Sequence, residues 1–208
     1  MAGTIIVDKV QLDVGQDTLR VFANTGSTIF SANTLGINAA SLGYGTLSSS
    51  RLPTGSVLQV VSTSKTDTFS SSSSGSWIDI TGLSATITPT NSSNKILVSY
   101  SVVSTNGDGW FQQLRLVRGA TAIGVGDTAG SRNRVTTYAG IGGIAQIDYP
   151  VVQSNQFLDS PSTTSATTYK LQIWFGGDTI YINRSPTDTD ATTYGRAIST
   201  ITVMEIAA

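Results

Sequence analysis

The chain has 208 residues and contains no cysteine, no histidine and a single glutamate, Glu205. Without cysteine there is no disulfide framework, no thiolate nucleophile and no Cys-type zinc site. Without histidine, Ser-His-Asp and Cys-His triads, imidazole general bases and nearly all transition-metal sites are excluded. Carboxylate chemistry and oxygen-ligand metal binding remain. Charge is scarce as well: 12 Lys and Arg against 13 Asp and Glu make 12% of the chain, with a net charge of −1. That is about half the usual charged share. Such a balance favours neither nucleic acid nor an anionic membrane. No apolar run reaches the roughly 18 residues of a membrane-spanning helix, so membrane insertion by a helix is not expected. The first residues, MAGTIIVDKV, lack the basic flank and apolar core of a secretory signal. The expectation is synthesis in a cytoplasm, with exit only as part of a particle released by lysis.

What the chain has is Ser and Thr, about a quarter of all residues, with Glu, Lys, Arg and Met in short supply. Thr favours strands and Ser favours turns, so this composition predicts an all-β protein. The most informative stretch is Trp77–Val103, WIDITGLSATITPTNSSNKILVSYSVV. Apolar and polar residues alternate through Ile78 and Ile80, then through Leu83, Ala85 and Ile87, then from Ile96 onward. Period-two spacing interrupted by Thr81-Gly82 and by Pro89–Asn94 reads as three antiparallel strands and two turns. Ile78, Ile80, Leu83, Ile87, Ile96 and Val98 are its core candidates. Trp77 reads either as core or as a subunit contact.

Residues 1–38 carry short β signals at Thr4–Val14, Thr18–Ala23 and Thr28–Ala32, with Asn24-Thr25-Gly26-Ser27 as a hairpin turn. So small a region cannot bury its own core. It reads as an anchor that pairs with other copies or a docking partner, or else as an edge hairpin of the main domain. Residues 39–56 are rich in Gly and Ser and read as a linker, with Leu42, Tyr44, Leu47 and Leu52 pointing to packing on something. Residues 57–208 carry about ten strand signals at the short spacing of sandwiches and jelly rolls. Asn106-Gly107-Asp108-Gly109 reads as a hairpin turn between Lys95–Thr105 and Trp110–Arg118. Gly176-Gly177-Asp178 reads as another, between Thr168–Phe175 and Thr179–Asn183. Gly140, Gly142 and Gly143 weaken the Val135–Asp148 stretch. Pro150 confines Tyr149–Leu158 to an edge or a strand start, and Ala197–Ile206 closes the chain. The fold expectation is an all-β antiparallel β-sandwich, jelly-roll-like, with a short N-terminal β-hairpin or extended anchor.

Candidate chemistry is sparse. Asp178, Asp188 and Asp190 have a spacing that could ligate Ca²⁺ through oxygen, and a solvated loop is the competing reading. A carboxylate pair could serve a glycosidase, but nothing fixes a separation, so neither an enzyme nor a cofactor is expected. Arg115, Arg118, Arg132 and Arg134 read as an anion site or as a solvated, salt-bridged face. Trp77, Trp110, Trp174, Tyr181 and Tyr194 could offer an aromatic platform to sugar rings. The alternation of Tyr169, Leu171, Ile173 and Phe175 turns Trp174 outward beside Lys170 and Gln172, where it serves a ligand or an intersubunit contact. Trp174, Tyr181, Trp110 and Tyr194 are thus the contact candidates. The sequons at Asn91 and Asn183 have meaning only in a eukaryotic secretory path.

The start MAGTIIVDKVQ with STIFSANTLGIN resembles the N-termini of small structural proteins of marine tailed phages, those of cyanobacteria in particular. GSVLQVV, WIDITGLSATITPTNSSNKILV, LRLVRG, FLDSP, TTYKLQ, YINRS and STITVMEI resemble a recurrent C-terminal β-domain of phage fibre and virion structural proteins. The resemblance implies a non-enzymatic virion structural protein, assembled in the host cytoplasm, of the homotrimeric tail fibre or spike type. Its residues 1–38 would dock on other virion proteins and its sandwich would project. The alternatives are a capsid decoration or head-fibre protein, and a carbohydrate-binding tip that recognises a host surface glycan. No catalytic residues carry over.

Overall fold

The computed structural model describes residues 10–13, 18–22, 28–33, 52–108, 110–140 and 148–208. The chain divides into two compact units, Met1–Ser48 and Ser49–Ala208. The first holds a three-stranded antiparallel meander of β1 (Val10–Asp13), β2 (Thr18–Phe22) and β3 (Thr28–Asn33), with β2 central. Val10 pairs with Val21, and Val21 with Phe30. The turn expected at Asn24–Ser27, the glycines Gly142 and Gly143, and the linker residues Leu42, Tyr44 and Leu47 lie outside the described residues.

The second unit is built from β4 (Val57–Lys65), β5 (Phe69–Ser71), β6 (Ile78–Ile87), β7 (Lys95–Asn106), β8 (Gln112–Arg118) and β9 (Thr121–Ile123). It continues with β10 (Thr137–Ala139), β11 (Val151–Asp159), β12 (Thr167–Phe175), β13 (Ile180–Ile182) and β14 (Ser199–Ile206). These form two antiparallel sheets, and among the described residues there is no helix. In one sheet β11 takes one edge of β7, while β14 and β13 share the other, end to end. β4 then pairs with β14, and β5 with β13. In the second sheet β12 lies between β6 and β8, and β9 and β10 share the outer edge of β8. Merging collinear strands gives the orders β4/β5–β14/β13–β7–β11 and β6–β12–β8–β9/β10. Numbered along the chain, these lanes read 1-8-3-6 and 2-7-4-5, the strand order of a jelly roll. The architecture is an all-β antiparallel sandwich of that kind.

Alternation explains the core. Ile96, Val98, Tyr100 and Val102 of β7 face Leu114 and Leu116 of β8, with Tyr169, Leu171, Ile173 and Phe175 of β12, in one buried cluster. Fully burying one such aliphatic side chain contributes about 1.5–3 kcal/mol. Ile80, Leu83, Ile87, Ile96 and Val98 are buried, and Ile78 packs at the margin of the cluster.

Three local expectations differ from what the chain does. Thr81-Gly82 does not end a strand. β6 runs through it, with Gly82 at φ +81° and a register shift against β12, so the inward spacing lengthens from Ile80 to Leu83. This is a bulge, which glycine permits by tolerating positive φ. Nor do Asn106–Asp108 and Gly176–Asp178 close hairpins, because β7 and β8 lie in different sheets, as do β12 and β13. Both turns carry the chain across the sandwich, and they bind each other. Asn106 Nδ2 donates to Gly176 O at 2.8 Å, and Asp178 N donates to Asp108 Oδ2 at 3.0 Å.

Two polar clamps fix the sandwich. Glu205 of β14 is buried and accepts from Asn94 Nδ2 at 2.6 Å, Thr90 N at 2.6 Å, Thr90 Oγ1 at 2.8 Å and Gln59 Nε2 at 2.5 Å. Burial pushes its carboxyl up, and the four donors outweigh that and hold it below the usual carboxylate value. The chain's sole Glu thereby ties β14 to β4 and to the loop before β7. On the other side, Asp159 of β11 accepts from Tyr169 Oη at 2.7 Å and from Arg118 at 2.8 and 2.9 Å. That joins one sheet to the other.

Candidate functional site: the outward faces of the sandwich

The outward face of the β8 sheet follows from register. Tyr138, Gln113 and Trp174 stand side by side across β10, β8 and β12. Arg115, Gln172 and Asp79 form the next row across β8, β12 and β6. Phe111 fills the space between the outer aromatics. Its ring stacks on Trp174 at 5.4 Å and 11°, and on Tyr138 at 6.1 Å and 29°. Trp110 tilts against it at 6.0 Å. Such contacts contribute about 0.5–1.5 kcal/mol each beyond their buried area. Trp110 and Tyr138 remain 53% and 62% exposed, while Phe111 and Trp174 are half-buried.

The polar row is already knitted together. Arg115 Nε donates to Gln172 Oε1 at 2.7 Å, and Gln172 Nε2 donates to Asp79 Oδ1 at 2.6 Å. Lys170 Nζ donates to Asp79 Oδ2 at 2.7 Å. Burial pushes the Asp79 carboxyl up, and the bonds from Lys170 and Gln172 with the nearby charges of Lys170 and Arg115 bring it below its ordinary value. The Arg115 guanidinium lies 4.2 Å from the centre of the Trp77 ring, a cation–π contact. Burial lowers its pKa, and Asp79 opposes that. Asn133 of the loop before β10 donates to Gln113 Oε1 at 2.8 Å. The result is an exposed pair of aromatic rings beside planar amide and guanidinium groups.

Of the four contact candidates, the fold brings together Trp174 and Trp110, through Phe111. Tyr181 lies in the other sheet, on β13, with the Arg184 guanidinium 4.4 Å from its ring. Tyr194 sits in the loop before β14, its backbone N bonded to Ala191 O. Trp77 is half-buried at the start of β6. Asp188 pairs with Arg196 at 2.7 Å and Arg184 at 3.4 Å, and Asp178 accepts from Thr179. No group of three or more metal-ligating side chains converges among the described residues. Arg118 is spent on Asp159, and Arg134 Nε donates to Gly126 O. Asn183 is fully buried at positive φ and donates to Lys65 O and Asp67 O, which hides its sequon. Sequence reasoning missed Phe111, Gln113 and Tyr138. Alternation along β8 places Phe111, Gln113 and Arg115 on one face, but Tyr138 joins them only through pairing across 25 residues of sequence.

The outward face of the β7 sheet is of different character. Val60, Met204, Leu97 and Leu158 stand in register across all four lanes. The next row is Ser62, Thr202, Ser99 and Gln156, and the one after it Ser64, Thr200, Ser101 and Ser154. Val103 and Val152 follow beyond them. No charged residue stands in these rows. Lys95 is at their margin, where it donates to Ser160 Oγ at 2.8 Å.

No protein-family model matches the chain, and no curated protein matches its sequence. A solved structure of infectious bursal disease virus, Gx strain, is similar to it with a TM-score of 0.35 and 14% identity, over 72% of this chain. The chain spans 42% of the length of that viral protein.

Proposed function

We propose that this protein is a non-enzymatic virion structural protein, a homotrimeric appendage of the tail fibre or spike type. Its N-terminal sheet docks on other virion proteins and its jelly roll projects. The observation that carries this reading is the division at Ser48–Ser49 into a three-stranded meander and a sandwich with its own core. A three-stranded sheet of four- to six-residue strands is marginal by itself and gains stability from a partner. The sandwich has no such need. The resemblance of both regions to phage structural proteins supports the same division of labour. Deleting residues 1–38 is expected to leave a folded sandwich that no longer joins particles. Incorporation of the truncated chain would refute docking by the N-terminus. Three or six copies per particle would fit a tail appendage, and hundreds would move the protein to capsid decoration.

A second reading, glycan recognition by the projecting sandwich, is favoured by Trp110 and Tyr138 beside Gln113 and Asn133. Exposed rings bind the apolar face of a sugar while amides bind its hydroxyls. Because Phe111 occupies one side of Trp174 and of Tyr138, the free surface belongs mainly to Trp110 and Tyr138. On a glycan array, Trp110→Ala and Tyr138→Ala should abolish any signal of the parent protein. An unchanged signal in both variants, or none for the parent, removes this reading.

A further inference from the structure

We infer that the outward face of the β7 sheet is where copies of this chain pack on one another. The inference rests on the self-association in the proposed function; a face that meets its own copy makes a two-fold contact, so the surface assigned joins a pair of copies and is distinct from the three-fold contact of a trimer. Val60, Met204, Leu97 and Leu158 form an unbroken apolar row across the sheet, and Val60 and Leu158 are 56% and 53% exposed. Beyond the row, Ser and Thr dominate, so no long side chain in the central lanes holds a partner sheet away. Stacked sheets approach to about 10 Å when their facing side chains are short or apolar.

The absence of charge in these rows selects the partner. Two copies brought face to face bring no like charges together and leave no ion unpaired. A partner with an ordinary charged surface would have to bury its charges against Ser and Thr, which is costly. The other outward face carries Asp79, Lys170 and Arg115 in adjacent rows, and packing two copies there would take these partly solvated charges out of water. Size is adequate too. Four lanes at ~4.8 Å and about nine residues at ~3.4 Å give a face on the order of 600 Å². Two copies then cover on the order of 1,200 Å², above the ~1,000 Å² of a specific interface.

The native chain lacks cysteine, so a single introduced thiol reports proximity without background. In full-length protein, Ser99→Cys at the centre of the face should form an intermolecular cross-link with a short bis-maleimide. Ser84→Cys, exposed on β6 of the opposite face, should not. Ser99→Lys and Thr202→Lys should halve the mass of the oligomer by light scattering, with an unchanged circular dichroism spectrum. If the parent is an oligomer that both lysine variants preserve, or if Ser84→Cys cross-links as well as Ser99→Cys, this face is not the contact although the oligomer stands. A parent that is monomeric at 100 μM refutes the homo-oligomer and this inference together. Should a lysine variant misfold, the cysteine pair decides alone.

Discussion

Tyr169 on β12 donates its phenolic proton to Asp159 on β11 at 2.7 Å, so a hydrogen bond from a fully buried ring helps to join the two sheets. Burial, then the carboxylate that accepts the bond, pushes the Tyr169 hydroxyl above its ordinary pKa, which favours the protonated, donating form. Arg118 supplies the opposing charge from β8. Removing the hydroxyl leaves a buried carboxylate oxygen short of a donor. Tyr169→Phe should lower unfolding free energy by about 1–3 kcal/mol in urea titration, with little change in fold. A loss under about 0.5 kcal/mol would mean that Arg118 alone satisfies Asp159.

The Glu205 clamp predicts a pH dependence. Its folded pKa is depressed, so its contribution is complete above the unfolded value of about 4.3 and disappears as pH falls through the folded value. Glu205→Gln keeps the shape but sets an NH2 group against a donor, either Gln59 on one oxygen or Asn94 and Thr90 on the other. It should destabilise the protein at neutral pH by about 1–3 kcal/mol. Melting temperatures of parent and variant should converge as pH falls from the unfolded value through the lower folded one. A pH-independent difference between them would show that geometry, not ionisation, sets the contribution.

Gln153 points inward from β11, is 4% exposed, and neither amide atom has a hydrogen-bond partner among the described residues. An unsatisfied buried amide costs about 1–3 kcal/mol. Gln153→Met, close in volume, should therefore leave stability unchanged or raise the melting temperature by a few degrees. A marked drop would point to a hydrogen-bonding role in the folded protein.

Gly177 sits at φ +79° where β12 crosses to β13, and a Cβ there would overlap the Asp108 carboxylate. Gly177→Ala should cost more than the roughly 1 kcal/mol of backbone strain alone, because Asp108 must also move. Gly119→Ala, at φ +58° with open space around it, supplies the strain-only comparison. Equal losses in the two variants would show that the Asp108 contact yields freely.

The sequence by itself determined the class of fold and which residue of each strand faces inward. Period-two patterning is local chemistry: Ile80, Ala85 and Ile87 are apolar where their neighbours are polar, and each of them is buried. Strand ends were legible at Pro89–Asn94 for the same reason. The path of the chain between the sheets was not. Asn106-Gly107-Asp108 has the composition of a hairpin turn, and only its bonds to Gly176 and Asp178, about 70 residues away, make it a crossing. Thr81-Gly82 likewise reads as a break, and pairing with β12 makes it a bulge.

The surfaces depended on tertiary structure most of all. Alternation turned Trp174 outward, but the stack with Phe111 and Tyr138 exists because three lanes meet in one register. The apolar row of Val60, Met204, Leu97 and Leu158 draws on four segments spread over almost 150 residues, each with a single unremarkable aliphatic position. Side-chain direction is fixed within a strand by the pleat, so sequence carries it. Which strands become neighbours is fixed by pairing between distant segments, whose order no local pattern encodes.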